Sequence, residues 1–210
     1  KIWYPSLNLN TIFSPTGFYS GAIGANCNRA RLNTLSFNNS SSSGNLYIQN
    51  PVIAVGNTGQ VAYSQNGMTW KSISSFINSI NFNAINWNGN IWLYLCNNSS
   101  NPILISTDGI SINPSNFSSV LKLTNANRAY WGDSKWVVTG SGTCPLAYSS
   151  SILNFFTIIF TGTGLGIFTT AYDVTWNGTI WVAVGTGVNS IATSPDGINW
   201  TGLGSTIFTI

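Results

Sequence analysis

The stretch that decides the fold is Trp176-Asn177-Gly178-Thr179-Ile180-Trp181-Val182-Ala183-Val184-Gly185, continued by Ile191-Ala192-Thr193-Ser194-Pro195-Asp196-Gly197-Ile198-Asn199-Trp200. It holds two hairpin signals and no helical period. The Asn177-Gly178 pair suits a two-residue type I′ turn, whose central residues both need positive φ. Trp181 to Gly185 is a short, continuous apolar run of the kind buried on both faces of a sheet. Asp196-Gly197 then marks a further tight turn before Ile198 to Trp200.

The same reading repeats upstream. Trp87, Trp131 and Trp176 recur at intervals of about 44 residues, each followed five positions later by Trp92, Trp136 and Trp181. A second marker keeps step: Ser64, Asn66, Gly67 and Trp70; then Ser106, Asp108 and Gly109, with Ile112 in the Trp place; then Ser194, Asp196, Gly197 and Trp200. The third copy has decayed to Ser149-Ser150-Ser151-Ile152. In Ile85-Asn86-Trp87-Asn88-Gly89-Asn90-Ile91-Trp92 a type I′ turn at Asn88-Gly89 puts Trp92 opposite Ile85, leaving Trp87 and Trp92 as diagonal neighbours in aromatic contact. Asn177-Gly178 repeats this geometry, and Gly132-Asp133 substitutes for it.

Two markers sharing a period of about 42 to 45 residues belong to propeller blades of four strands. The sequence therefore predicts an all-β, single-domain chain over 1–210. Its architecture is a β-propeller of four blades, each of four antiparallel strands, with units at about 14–70, 71–113, 114–156 and 157–203. The first unit carries an insertion around Asn26 to Gly44. Ile2-Trp3 followed by Asn10 to Phe13 resembles Asn199-Trp200 followed by Ser205 to Phe208, so the opening residues read as the outer strand of a preceding blade. The four units are either a whole ring or an arc of a larger one.

Composition narrows the chemistry. Only 5% of the 210 residues are charged and 43% are hydrophobic, so Asn, Ser, Thr and Gly supply the polar surface. That excludes a charged disordered tail and a coiled coil. Seven scattered Lys and Arg give a net charge of +3 and no phosphate-binding stripe, which argues against nucleic acid. The apolar stretch from Ile152 to Phe168 is too short and too interrupted to insert in a membrane. There is no His and no Glu, the acids being Asp108, Asp133, Asp173 and Asp196. Cys27, Cys96 and Cys144 are far apart, so neither a metal site nor a cofactor is expected.

The Ser-x-Asp-Gly-x-x-Trp element resembles a shortened Asp-box, or BNR repeat, of sialidase-type propellers. In that family the box is a structural turn, which implies a blade and says little of activity. The string from Trp176 to Phe208 also resembles repeats in structural proteins of large DNA viruses of algae and protists. This likeness runs from about Asn45 to Ile210, strongest in the last unit, and implies minor capsid, spike or fibre material on a virion surface.

A sialidase would need an arginine triad, a Tyr nucleophile with a Glu partner and an Asp acid/base, whereas this chain has three Arg and no Glu. The expectation is no enzyme and no catalytic residue, with Asp108, Asp133 and Asp196 as turn formers and Asp173 doing likewise before a strand. Trp87, Trp92, Trp131, Trp136, Trp176 and Trp181 read as packing between blades rather than as sugar platforms. Arg29 and Arg31 stand two apart, a spacing that could grip an anion in an extended segment but that reads more simply as a solvated loop. The expected function is structural or attachment work at a virion surface, with capsid proteins or copies of this chain as partners. The alternative is a secreted glycan-binding adhesin using loop aromatics such as Phe18 and Tyr19.

Overall fold

A computed structural model of the chain describes residues 19–25, 28–37, 46–48, 51–73, 80–113, 123–154 and 157–208. These residues form seventeen β-strands, and none of them lies in an α-helix. The first sheet contains β1 (Tyr19–Ala25), β2 (Asn28–Phe37) and β3 (Leu46–Ile48). The second contains β4 (Val52–Val55), β5 (Val61–Ser64) and β6 (Lys71–Ile73), and the third β7 (Phe82–Trp87), β8 (Trp92–Cys96) and β9 (Ile103–Ser106). Next come β10 (Leu123–Gly132), β11 (Lys135–Gly142), β12 (Leu146–Asn154) and β13 (Thr157–Thr163), and finally β14 (Thr170–Trp176), β15 (Trp181–Thr186), β16 (Ile191–Ser194) and β17 (Thr201–Gly202). The last two groups each pair in sequence order and are joined by one bridge from the end of β11 to the start of β14, Ser141 to Thr170. All pairings are antiparallel, as short connections between consecutive strands require.

The register of the Trp hairpins differs from the expected one. Trp87 lies directly opposite Trp92, Trp131 opposite Trp136, and Trp176 opposite Trp181. Trp92 is therefore not opposite Ile85, which pairs with Tyr94. The reason is local. Asn88 and Asn177 are not turn centres: their Oδ1 atoms accept from the two amides beyond the glycine, Asn90 and Ile91 in one case, Thr179 and Ile180 in the other. Only Gly89 (φ 111°) and Gly178 (φ 101°) have positive φ, the glycine-first arrangement of a type II′ turn. In the third hairpin Gly132 pairs with Lys135, and Asp133 (φ 46°) and Ser134 (φ 58°) are the turn centres, as a type I′ turn needs. The indole rings meet across all three hairpins, with centroids 4.9, 5.4 and 5.1 Å apart.

Three apolar layers hold the sheets in a row. Ile53, Val61 and Tyr63 of the second sheet pack against Trp92, Tyr94 and Leu104 of the third. Leu93, Leu95 and Ile103 then face Trp136, Val138 and Phe160. Val137, Leu146 and Tyr148 in turn face Trp181, Ala183 and Ala192. Along each second strand, residues alternate between the layer behind and the layer ahead, because side chains point to opposite faces with a period of two. Hence β8 and residues Trp136 to Gly140 of β11 are buried at every position. The run Trp181 to Gly185 was expected to behave the same way, yet in β15 only Trp181 and Ala183 are buried. Its other face, at Val182 and Val184, is half-buried.

Where the Asp-Gly signal is lost, the strand runs on. β12 extends to Asn154, nine residues against four in β9 and β16, and returns as β13. Arg29 and Arg31 lie within β2, opposite Gly24 and Ala22, rather than in a loop. Ile2, Trp3, Asn10, Phe13, Phe18 and Cys27 fall outside the described residues.

Candidate functional site

The recurrent Ser-x-Asp-Gly turns are built by one hydroxyl and one side-chain oxygen. Ser194 Oγ accepts from the Gly197 amide at 2.9 Å and donates to Asp196 Oδ1, which accepts from the Ile198 and Asn199 amides, each at 2.8 Å. Ser106 and Asp108 do the same for Gly109, Ile110 and Ser111. Asn66 performs this work with a neutral oxygen, taking the Met68 and Thr69 amides at 2.9 and 2.8 Å. The geometry thus needs an acceptor, not a charge.

These bonds set the carboxyls' acidity. Partial burial pulls Asp108 upward, but the amides of Ser111 and Ile110 with the hydroxyls of Ser111 and Ser106 outweigh it, and the group is held down at about 2. The Asn199 amide leads the same effect at Asp196 against a small desolvation cost, and that carboxyl also lies well below the ordinary range. Both are poor proton donors or acceptors near neutrality.

Each turn glycine has φ near 70°, and two of the three are also pressed from outside. A β-carbon on Gly109 would lie 3.0 Å from both Trp92 Nε1 and Ile53 Cδ1; on Gly197 it would lie 3.1 Å from Trp181 Nε1 and 3.0 Å from Val137 Cγ2. Each of these turns therefore docks on its own sheet's Trp and on the preceding sheet. Gly67, whose sheet has Val52 in the Trp position, has nothing within 4 Å. Trp70 is 43% exposed, while Trp200 folds back so that Nε1 donates to the Gly197 carbonyl at 3.2 Å.

Strands also touch from sheet to sheet: β4 lies against β7, and the first strands of the later sheets meet in turn, β7 against β10 and β10 against β14. Register breaks fall at Asn83 in β7, Asn127 in β10 and Tyr172 in β14, each four residues before the strand's Trp. At such a bulge the side chain is re-aimed. Asn83 Nδ2 donates to the Ala126 carbonyl and Asn127 Nδ2 to the Ala171 carbonyl, both at 2.8 Å. The equivalent Tyr172 is 52% exposed. Sequence reasoning missed this link, although the phase of Asn83 and Asn127 against the Trp markers was there to be read.

Between these three strands lies a cleft of about 250 Å³, lined by Asn86 and Trp87 of β7, Arg128, Tyr130 and Trp131 of β10, and Asp173 and Thr175 of β14, with Trp136 behind. Arg128 is fixed by Nη1 bonds to the Asn83 and Asn127 carbonyls at 2.7 and 2.8 Å. Asp173 lies within β14, not before a strand as expected, and accepts from the Val174 amide at 2.8 Å. Arg128 and Asp173 form no ion pair with each other; the pair found among the described residues is Lys135 with Asp133. Asn86 Oδ1 is buried and accepts no hydrogen bond. The cleft thus offers a cation, an anion and indole surface. No group of three or more His, Cys, Asp or Glu that could hold a metal occurs among the described residues. No helix among them is long and apolar enough to cross a membrane.

Of the residues singled out from the sequence, Trp87, Trp92, Trp136 and Trp181 are buried between sheets, whereas Trp131 and Trp176 are only partly buried. Trp131 opens onto the cleft. Asn66, Gly67, Asp108, Gly109, Asp196 and Gly197 lie in the turns, away from it. Arg128 and Asp173 were not read together in the sequence, because 45 residues separate them and only the pairing of neighbouring sheets brings them to one level.

No protein-family description matches the chain, and no curated protein matches it. Among solved structures it is similar to YCF48 bound to D1 peptide, with a TM-score of 0.51 at 15% identity. The likeness covers 75% of this chain and 52% of YCF48, about half of that protein's length. YCF48 is a β-propeller, and the likeness gives this chain a propeller-type fold.

Proposed function

We propose that the chain is a non-enzymatic structural or attachment component of the surface of a large virus particle, built as a propeller of four Asp-box blades, either complete or part of a larger ring. The observation that supports a scaffold is the use made of the acids. Asp108 and Asp196 are committed to turn amides, Asp133 to Lys135, and Asp173 stands in the cleft without a second carboxyl. A glycosidase needs two facing acids, or an acid and a nucleophile, at one site. The virion placement rests on the resemblance of the repeat from Trp176 to Phe208 and on a nearly uncharged surface suited to dense packing. Mass spectrometry of gradient-purified particles, before and after a high-salt wash, tests it. Retention with the particle supports the reading, and loss on washing refutes it.

A second reading, a glycan-binding adhesin, is favoured by the cleft. Indole faces beside an amide, a guanidinium and a carboxylate are what sugar rings and hydroxyls require. Binding on a glycan array that disappears in Arg128→Ala and Asp173→Asn would support it.

A further inference from the structure

We propose that Asn88 and Asn177 are sites of spontaneous deamidation, and that the serine of the Ser-x-Asx-Gly turn guards Asn66 against the same reaction. The chain contains three Asn-Gly pairs: Asn66-Gly67, Asn88-Gly89 and Asn177-Gly178. In such a pair the chain itself holds the glycine nitrogen, with no side chain to hinder it, beside the amide carbon of the asparagine. The nitrogen loses its proton to solvent hydroxide and attacks Cγ, the Cγ–Nδ2 bond breaks, and ammonia leaves with a proton taken from water. One water then opens the five-membered imide at either carbonyl, giving Asp or its backbone-shifted isomer.

All three asparagines present the same electrophile. Each Oδ1 accepts from the two amides beyond the glycine, at 2.8 to 3.0 Å: Met68 and Thr69, Asn90 and Ile91, or Thr179 and Ile180. Attack at Cγ puts negative charge on that oxygen, and two backbone donors already aimed at it are the arrangement that stabilises an oxyanion.

The nucleophiles differ. The Gly67 amide donates to Ser64 Oγ at 2.8 Å, as the Gly109 amide does to Ser106 and the Gly197 amide to Ser194, both at 2.9 Å. That bond has to break and the peptide plane has to turn before the ring can close. Among the described residues, the Gly89 and Gly178 amides donate to no acceptor. Exposure argues for a different order, since Asn66 and Asn177 are both exposed and Asn88 is half-buried. Access to water would rank Asn66 with Asn177 and ahead of Asn88; the hydrogen bond on its nucleophile ranks it last. Each conversion adds a negative charge to a chain of net charge +3, so reaction at both hairpins leaves +1. The scaffold reading above does not depend on this chemistry.

Incubation of the whole folded chain at pH 8, followed by peptide mapping in a mass spectrometer, reads the Asn-to-Asp mass gain at each pair separately. A hydrogen bond on the nucleophile corresponds to about a tenfold change in rate, so Asn66 is expected to react about tenfold more slowly than Asn177. It should also lag behind Asn88. In denaturing urea the turns are lost and the three rates should converge, because the reacting dipeptide is the same. Ser64→Ala should raise the Asn66 rate towards that of Asn177 and leave Asn177 unchanged. Asn66 keeping pace with the other two in the folded protein overturns the proposal, as does a folded protein in which Asn88 and Asn177 stay intact while the denatured chain converts. A lag of Asn66 that persists in urea overturns it too, since the flanking sequence would then be the cause. The comparison in urea uses the wild type alone and so stands whether or not Ser64→Ala folds.

Discussion

At the scale of single residues, the Ser-x-Asp-Gly turn separates two demands that the sequence writes with the same letters. Positive φ at Gly67, Gly109 and Gly197 costs any L side chain about 1–2 kcal/mol. The indole and aliphatic groups against Gly109 and Gly197 add an overpacking cost of about 1–3 kcal/mol. Gly197→Ala is therefore expected to destabilise by about 2–4 kcal/mol and Gly67→Ala by only about 1–2, as read from urea denaturation. The acids make a second distinction. Asp108 and Asp196 have folded-state acidities below the unfolded value of about 3.9, so their contribution is complete above about pH 4 and is lost as pH falls, through about 2 for Asp108 and lower still for Asp196. Asp108→Asn with Asp196→Asn, copying the neutral Asn66 turn, should remove most of that acid limb in unfolding measured at pH 7, 4 and 2.5. At pH 7 the double variant should stay within about 1–2 kcal/mol of the parent. At Cys96, burial outweighs a hydrogen bond from the Asn98 backbone and pushes the thiol up to about 12. Alkylation by iodoacetamide at pH 8 should therefore reach Cys96 only after denaturation, and prompt labelling in the native protein would contradict its placement.

At the scale of elements, the sheets from β7 to β17 are pinned to one another by two devices in different layers. One is the buried indole of the second strand. Trp136 and Trp181 are each under 2% exposed, and Trp181→Ala is expected to cost about 3–5 kcal/mol through lost burial and the cavity left behind. The other is the bulge asparagine, whose amide reaches the carbonyl of the next first strand. Asn127→Ala removes that donor from the partly buried Ala171 junction and should cost about 1–2 kcal/mol. If Asn83→Ala and Asn127→Ala left the unfolding midpoint unchanged, the link would be a consequence of packing rather than a contributor. The Trp pairs themselves were legible in the sequence, since their five-residue spacing demands a hairpin. Their register was not, because Asn-Gly supports more than one turn type, and the Asn side chain's bonds to the amides beyond the glycine decided between them.

At the scale of the whole molecule, stability is arranged in a line, each sheet depending chiefly on its neighbours. β8 and Trp136 to Gly140 of β11 are buried at every position, whereas β15 is buried only at Trp181 and Ala183. Native-state hydrogen exchange should therefore be slowest in β8 and in Trp136 to Gly140 of β11, with β15 exchanging by openings of lower free energy. Equal protection across β8, β11 and β15 would contradict this order.

The sequence by itself determined the strand content, the repeat near 44 residues, the two turn sites per repeat and the Trp positions that fill the core. Each is set by interactions within a few residues: side-chain alternation, glycine's access to positive φ and short-range bonds to turn amides. Tertiary structure alone decided which face of each strand is covered, why two turn glycines are hemmed in while Gly67 is not, and that Arg128, Asn86 and Asp173 share one cleft. Those facts depend on distances between sheets, which interactions within a few residues of one another do not set.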